Sequence, residues 1–451
     1  MDRIFKRKIY QKLLEWKEVD NGKTALLIEG ARRVGKSTIV EEFARNEYES
    51  YLLIDFANAS TGTKALFEDI SNLNVLFTSL QLTYGVSLVV GKSLVIFDEI
   101  QKCPLARQAI KHLVKDGRYH YIETGSLLGI KMKKKAQKEE GKLLIPSEEH
   151  RICMYPMDYE EFRWAMGDTA TIPLLKNVYE SKQPLGDAVN RKLMRDFRLY
   201  MLVGGMPQAV NEYLDTQDLS KVDRVKRNIL DLYDNDFYEL DPSGQTSMLF
   251  RAIPAQLSSN ASRYKVGSVI SGSRVERLTR SIAILKDSMT TNISYHANDP
   301  SAGFALHINT AQFKLFCHDT GLFVTLAFWD SDFTSNTIYQ KLLNDKLGVD
   351  LGYVFENIVA QMLVASGQKL FYHTWQMENS TRNYEIDFMI TRESKICPIE
   401  VKSAQSKEHR SIDEFQKKFS GKILHRYLLH TKDMRKEQDL LCLPVYMTPF
   451  L

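Results

Sequence analysis

The sequence predicts an α/β protein whose N-terminal third is a three-layer sheet, and three observations predict it. Apolar runs that read as strands recur at Ala25 to Ile28, Tyr51 to Phe56, Leu94 to Phe97, Tyr119 to Glu123 and Ile152 to Tyr155, separated by stretches of helical spacing. Gly30-Ala31-Arg32-Arg33-Val34-Gly35-Lys36-Ser37 stands between the first run and an amphipathic segment, Thr38 to Phe43, with the spacing G-x-x-x-x-G-K-[ST] of a phosphate-binding loop. Leu94-Val95-Ile96-Phe97-Asp98-Glu99 ends in two acids, as a buried parallel strand does when it delivers carboxylates to the sheet's C-terminal edge.

Taken in order, residues 1–20 are expected to hold a helix, because Ile4 to Trp16 has helical apolar spacing, and residues 21–157 the sheet domain. The loop from Gly30 to Thr38 aims backbone N–H groups and a helix N-terminus at phosphate oxygens. Lys36 would reach the β- and γ-phosphates, and Ser37 would offer a hydroxyl to Mg²⁺, an ion that keeps several waters and takes few protein ligands. Asp98 would hold the magnesium water shell and Glu99 would polarise the attacking water, since phosphoryl transfer depends on positioning and charge stabilisation. Thr124, in Thr124-Gly125-Ser126, reads either as a reporter of the γ-phosphate or as a plain turn residue. These residues point to ATP with Mg²⁺ and to its hydrolysis.

Lys131, Lys133, Lys134, Lys135, Lys138 and Lys142 form a basic run expected to be a solvated insertion. Arg151 precedes the last strand and could present its guanidinium to a nucleotide on a neighbouring subunit, an arginine finger that implies a homo-oligomer. Residues 158–240 are helical and expected to act as a lid, with Tyr200-Met201-Leu202-Val203-Gly204-Gly205-Met206-Pro207 as a sharp break. Residues 241–335 give short helices, an extended stretch from Thr291 to Ile308, and Phe313-Lys314-Leu315-Phe316. That order is compatible with a winged-helix module whose reading helix, Gly272 to Leu285, carries Arg274, Arg277 and Arg280. A packing module with solvated arginines fits equally.

In residues 336–451, Tyr384 to Ile390 and Cys397 to Lys402 read as two strands joined by the turn Thr391 to Lys395. Side chains alternate along a strand, so Glu400 and Lys402 share a face, and Asp387 on the neighbouring strand joins them. Asp387 and Glu400 can hold a second Mg²⁺ or Mn²⁺ while Lys402 orients or activates a water, as metal-assisted phosphodiester hydrolysis needs. Glu356, in the helical segment Gly352 to Leu363, would complete the site. The alternative is a surface hairpin with an ordinary Glu400–Lys402 salt bridge. His409, His425 and His430 have no ligand spacing.

A formal charge of +4 and a pI near 8.5 do not demand nucleic acid, though they allow local basic surfaces. Cys103, Cys153, Cys317, Cys397 and Cys442 are scattered without a C-x-x-C pair, which fits a reducing cytoplasm. The most apolar stretch, Val86 to Phe97, is too short for a membrane span and contains Lys92, so no membrane partner is expected.

Gly30 to Ser37, Asp98-Glu99-Ile100-Gln101, Thr124-Gly125-Ser126, Gly204-Gly205-Met206-Pro207, and Phe313-Lys314-Leu315-Phe316 with Asp319-Thr320-Gly321-Leu322 together resemble one group: prokaryotic AAA-type ATPases whose C-terminal half is a domain of unknown function. The resemblance spans nearly the whole chain. It implies a P-loop NTPase core, a helical and winged-helix-like middle, and a restriction-endonuclease-like α/β domain similar to PD-(D/E)xK nucleases. Asp387, Glu400 and Lys402 stand where that class keeps its motif, while Glu385 and Ile386 replace the Pro of its name. The expectation is an ATP-hydrolysing switch controlling a domain that binds or cleaves DNA or RNA. The rival is an ATP-dependent platform for a protein partner with an inert nuclease-like domain. A ring motor would need a pore loop, and the sequence gives no distinct signal of one.

Overall fold

Five apolar runs bounded by polar turns become five parallel strands, because both faces of each must be covered by helices. In the computed structural model, residues 3–125, 148–259, 261–330, 339–340, 343–344, 352–402 and 409–451 are described. The chain divides into two units, Met1–Tyr155 with Asp287–Met289, and Pro156–Lys286 with Thr290–Leu451.

In the first unit the elements run α1 (Ile9–Val19), β1 (Ala25–Glu29), α2 (Lys36–Glu47), β2 (Ser50–Asp55), α3 (Thr61–Ala65), α4 (Leu73–Tyr84), β3 (Ser93–Asp98), α5 (Pro104–Asp116), β4 (His120–Gly125) and β5 (Glu149–Cys153). The sheet order is β2-β3-β4-β1-β5, parallel throughout. Leu27, Val95, Phe97 and Tyr121 share a core with Leu76, Phe77 and Leu80 of α4 and Ala106, Ile110 and Leu113 of α5. The first helix begins at Ile9 rather than at Ile4. Arg7 precedes it, and its buried guanidinium donates to the carbonyls of Val34 (2.8 Å) and Tyr155 (2.7 Å). The basic run from Lys131 to Lys142, and Ser126, lie outside the described residues.

The second unit opens with helices α6 (Tyr159–Ala165), α7 (Thr171–Ser181), α8 (Asp187–Val203), α9 (Pro207–Thr216) and α10 (Leu219–Leu240). Asp158 and Glu161 form a reciprocal capping box at the start of α6. The break between α8 and α9 is held from far along the chain. Gly204 has φ 84°, a conformation few side chains tolerate, and the N–H of Gly205 donates to Asp319 Oδ2 at 2.6 Å. A Cβ on Gly321 would lie 2.6 Å from Gly204 Cα. The two motifs, 204–207 and 319–322, are therefore halves of one backbone crossing. Beneath it the ammonium of Lys226 is buried against the carbonyls of Leu202 (2.7 Å) and Gly321 (3.1 Å).

Next come α11 (Gln245–Arg251), α12 (Ile253–Ser258), α13 (Val266–Val269), α14 (Thr279–Asp287), β6 (Thr291–Ala297), β7 (Ile308–Cys317) and α15 (Thr320–Ala327). The C-terminal elements are α16 (Gly352–Ala365), β8 (Phe371–Gln376), β9 (Asn383–Ile386), β10 (Phe388–Arg392), β11 (Lys395–Val401), α17 (Arg410–Phe419), β12 (Arg426–His430), β13 (Arg435–Glu437) and β14 (Leu440–Pro444). They build two sheets, β7-β6-β8-β9 and β10-β11-β12-β14-β13. A shared core joins them: Ala297, Phe371 and Ile386 pack with Met389, Ile396, Leu428, Ile412 and Phe415.

Three sequence expectations change here. The extended stretch from Thr291 and the run Phe313 to Phe316, expected in a winged-helix or packing module within residues 241–335, form the hairpin β6–β7, which pairs in parallel with β8 through Tyr295↔Phe371 and His296↔Tyr372. That ladder crosses the boundary expected at 335/336, because a two-stranded hairpin gains from burying its edge against a third strand. The expected reading helix is a 3₁₀ turn, Val275–Leu278, running into α14; Arg274, Arg277 and Arg280 are exposed, and Arg280 donates to the carbonyl of Leu240 (2.9 Å). The single strand expected from Tyr384 to Ile390 is divided at Asp387, where the chain passes from one sheet to the other.

Candidate functional site

The phosphate loop is built by the turn between β1 and α2. Gly35 has φ 98° and Arg33 φ 69°, so the backbone reverses into the first turn of α2 through two left-handed residues. Gly30 admits no side chain, because a Cβ would stand 2.4 Å from the carbonyl oxygen of Met154. Ala31 and Val34 are buried, whereas Arg32, Arg33 and Thr38 are exposed. The loop thus offers mainly backbone. Lys36 is buried, and its ammonium donates to the carbonyls of Gly30 and Ala31, both at 2.9 Å. Burial pulls its pKa below the usual lysine value, against the opposing pull of Glu99 and Asp98. A desolvated ammonium held by carbonyls of its own loop is poised to exchange them for phosphate oxygens.

Strand β3 brings its acids to this loop. Asp98 Oδ1 accepts from the hydroxyl of Ser37 at 2.8 Å and from that of Thr124. Ser37, Asp98 and Thr124 are therefore one hydrogen-bonded set at the C-terminal edge of β3 and β4, and Thr124 is a partner of the carboxylate. The set suits the magnesium of a bound nucleotide, which needs one hydroxyl, one nearby carboxylate and water. Glu99 lies just past the strand with φ 51°, a conformation uncommon for a residue with a Cβ and found disproportionately at active sites. Its carboxylate accepts from the side-chain amide of Gln101. Gln101 is buried and wedged at the strand end, since a Cβ on Gly125 would stand 2.5 Å from its Oε1.

Two residues at this site escaped the sequence reading. Arg7 ties the loop at Val34 to the end of the sheet at Tyr155, and Gln101 orients Glu99. Arg7 gives no local signal, being one cation in a charged N-terminal stretch. Arg151 lies on the edge strand β5, 39% exposed, with its guanidinium 3.2 Å from Glu149. Glu149 is taken chiefly by Arg107, through bonds of 2.9 and 2.8 Å. Arg107 also stands 3.8 Å from Glu123, whose carboxyl is driven well above its ordinary range by burial and by Glu149.

The second unit holds a separate acidic cluster. Lys402 Nζ pairs with Glu400 Oε1 at 2.8 Å, and Asp387 Oδ2 accepts from the Val401 N–H at 2.7 Å. The predicted trio therefore comes together on β11 and at the β9/β10 switch. Glu400 is buried, its Oε2 has no hydrogen bond, and burial raises its pKa. Glu356, on α16, faces Lys314 instead, at 3.6 Å. Lys314 also pairs with Glu385, and Asp387 acts electrostatically on all three. Burial together with Asp387 and Glu385 pushes Glu356 up to about 7, against the pull of Lys314. For Lys402, Glu400 and Asp387 outweigh burial and raise the pKa. Among the described residues, no three His, Cys, Asp or Glu side chains are arranged to hold a metal ion. Lys314 was overlooked as a member, although a lysine between Phe313 and Leu315 in a wholly buried strand end was the available signal.

Fold and loop geometry define the first unit as a nucleoside-triphosphate-binding P-loop domain. Residues 22–163 match the AAA domain family, which supports an AAA-type P-loop ATPase domain in this part of the chain. Residues 194–332 and 351–447 match two domains of unknown function, DUF8612 and DUF4143. No curated protein matches the chain. Among solved structures, a Walker-type ATPase of Pyrococcus abyssi is similar at 19% identity, covering 72% of this chain and 96% of its own, with a TM-score of 0.45. A signal transduction ATPase with numerous domains and a tetratricopeptide repeat sensor, from Pyrococcus horikoshii, is similar at 10% identity, covering 81% and 46%, with a TM-score of 0.28. Among the described residues, no helix is long and apolar enough to cross a membrane.

Proposed function

We propose that the protein is an ATP-hydrolysing molecular switch whose nucleotide state controls a C-terminal, nuclease-like domain acting on DNA or RNA. The observation that carries the ATPase half is the set Lys36, Ser37, Asp98 and Thr124 closed around the phosphate loop. Lys36 and the loop amides would bind the phosphates, Ser37 would offer its hydroxyl to the nucleotide's magnesium and Asp98 would hold that ion's water shell, and Glu99 would direct water at the γ-phosphate. Magnesium would neutralise charge on the phosphate oxygens. Arg151 serves a neighbouring copy as an arginine finger, and Arg151→Ala then lowers hydrolysis while sparing binding.

For the second half, support comes from Asp387, Glu400 and Lys402 converging, with one buried carboxylate oxygen left unbonded. An acceptor in that state is costly unless a cation or donor meets it. A Mg²⁺ or Mn²⁺ held by Asp387 and Glu400 would polarise a phosphodiester. Lys402 would orient the attacking water. The rival reading, an assembly platform for a protein partner, is favoured by the lack of a three-ligand metal group among the described residues.

The test incubates wild type, Lys402→Ala and Glu99→Gln with mixed DNA and RNA, Mg²⁺ or Mn²⁺, with and without ATP. Cleavage by wild type, absent in Lys402→Ala and altered when Glu99→Gln traps ATP, is the expected result. No cleavage under any condition, with association insensitive to salt, would support the platform, because phosphate-driven binding weakens as salt rises.

A further inference from the structure

We infer that Gly125 is a positioning residue for hydrolysis: it leaves the space in which Gln101 holds Glu99, so that successive residues of one strand end, Thr124 and Gly125, set both acids, Asp98 and Glu99. This rests on the proposed reading of Glu99 as the group that directs water. A glycine in a buried strand weakens it and calls for a reason. Gly125 closes β4, every residue of which is buried, and its φ lies outside the left-handed region, so its backbone makes no demand for glycine. The demand comes from space. A Cβ there would stand 2.5 Å from Gln101 Oε1 and 3.3 Å from Ile100 Cγ2.

Gln101 is itself placed by the turn that follows β3. Glu99 enters that turn in the left-handed region, and the N–H groups of Lys102 and Cys103 donate to the carbonyls of Glu99 (2.9 Å) and Ile100 (3.0 Å). From this 3₁₀ turn, Ile100–Lys102, the side-chain amide of Gln101 reaches the end of β4 while its N–H donates to Glu99. Gln101 is 7% exposed, and its Oε1, set against Gly125, has no hydrogen-bond partner. A buried acceptor without a donor is costly, and here the cost accompanies the bond that aims Glu99. One residue earlier, Thr124 donates to Asp98. The strand cannot absorb a methyl at 125, because Gly125 is laddered to Glu29 of β1. The free end of Gln101 can, and its bond to Glu99 goes with it. The fold survives, while Glu99 loses the donor that aims it.

The experiment is steady-state ATP hydrolysis by the full chain as wild type, Gly125→Ala, Gln101→Ala, the two combined, and Glu99→Gln, beside calorimetric titration of ATP–Mg²⁺. Gly125→Ala should fold and bind ATP as wild type does, with kcat lowered roughly tenfold or more and KM unchanged. The double variant should be no slower than Gln101→Ala alone, because both changes act through one bond. Gly125→Ala with kcat within about twofold of wild type overturns the inference, as does a double variant whose loss is the product of the two single losses. Glu99→Gln that hydrolyses ATP at the wild-type rate overturns instead the reading of Glu99 on which the inference rests. Should Gly125→Ala not fold, the double variant decides. Folded, with the kcat of Gln101→Ala, it supports the contact; unfolded as well, it shows that the methyl meets something other than Gln101 and overturns the inference.

Discussion

Replacing Arg7 by Met removes two bonds from one guanidinium, a buried one to Val34 O at 2.8 Å and a part-buried one to Tyr155 O at 2.7 Å. Hydrogen bonds from a charged donor contribute about 1.5–3 kcal/mol each, so the pair is worth about 3–6 kcal/mol. Met keeps the length and apolar stem but leaves both carbonyls without this donor. Against a total stability of roughly 5–15 kcal/mol, a loss of at least ~3 kcal/mol shifts a urea midpoint plainly. Val34 belongs to the phosphate loop, so part of the loss should reach the ligand, weakening ATP about tenfold, or ~1.4 kcal/mol. Arg7→Lys keeps the charge but not the fork, and should recover about half of the stability. The measurement is urea unfolding of the three proteins beside calorimetric ATP titration. A Met variant within ~0.5 kcal/mol of wild type and with unchanged ATP affinity would refute the assignment of Arg7 as the clamp of the loop.

Three further outcomes follow from single contacts. Gln101→Ala frees the carboxylate of Glu99, and steady-state kinetics should show turnover falling roughly tenfold or more with KM for ATP unchanged, general-base geometry being worth on the order of 10²–10⁴ in rate. Gly321→Ala drives a Cβ to 2.6 Å from Gly204 Cα and Val203 O; backbone cannot yield as a flexible side chain can, so thermal unfolding should show destabilisation at the upper end of ~1–3 kcal/mol. Burial pushes His318 down to about 3, so below its unfolded value near 6.5 the unfolded chain takes up a proton that the folded chain refuses. Its contribution is therefore present above about pH 6.5 and lost as pH falls toward 3. In His318→Phe, the stability gap to wild type should change in the variant's favour by up to ~1.4 kcal/mol per unit between pH 6 and 4.5, and parallel acid-stability curves would contradict this.

The parallel sheet was legible because its strands are apolar on both faces and the phosphate loop has a fixed spacing that only one local geometry satisfies. Asp98 and Glu99 were legible for the same reason, standing where a buried strand ends. Glu400 and Lys402 share a face by strand alternation, so their pairing needed no tertiary knowledge. Lys314 was different: its partners Glu356 and Glu385 lie on other elements far along the chain, and no local period encodes such a meeting. The same holds for Arg7, whose acceptors are Val34 and Tyr155. The pairing of β6 with β8 was not legible because a hairpin looks alike in sequence whether its edge faces solvent or another strand. Asp387 was read as mid-strand because alternation continues across it, yet its carboxylate accepts from a main-chain N–H of β11 at the point where the sheets divide.

The proposed switch requires that the loop from Gly30 to Ser37 grip a nucleoside triphosphate through its amides and Lys36. Isothermal titration of ATP–Mg²⁺ into the intact chain, beside folded Lys36→Ala, tests it most directly. Saturable binding at one site per chain, abolished in Lys36→Ala, is the expected result; no heat in wild type, or equal affinity in the variant, would contradict it.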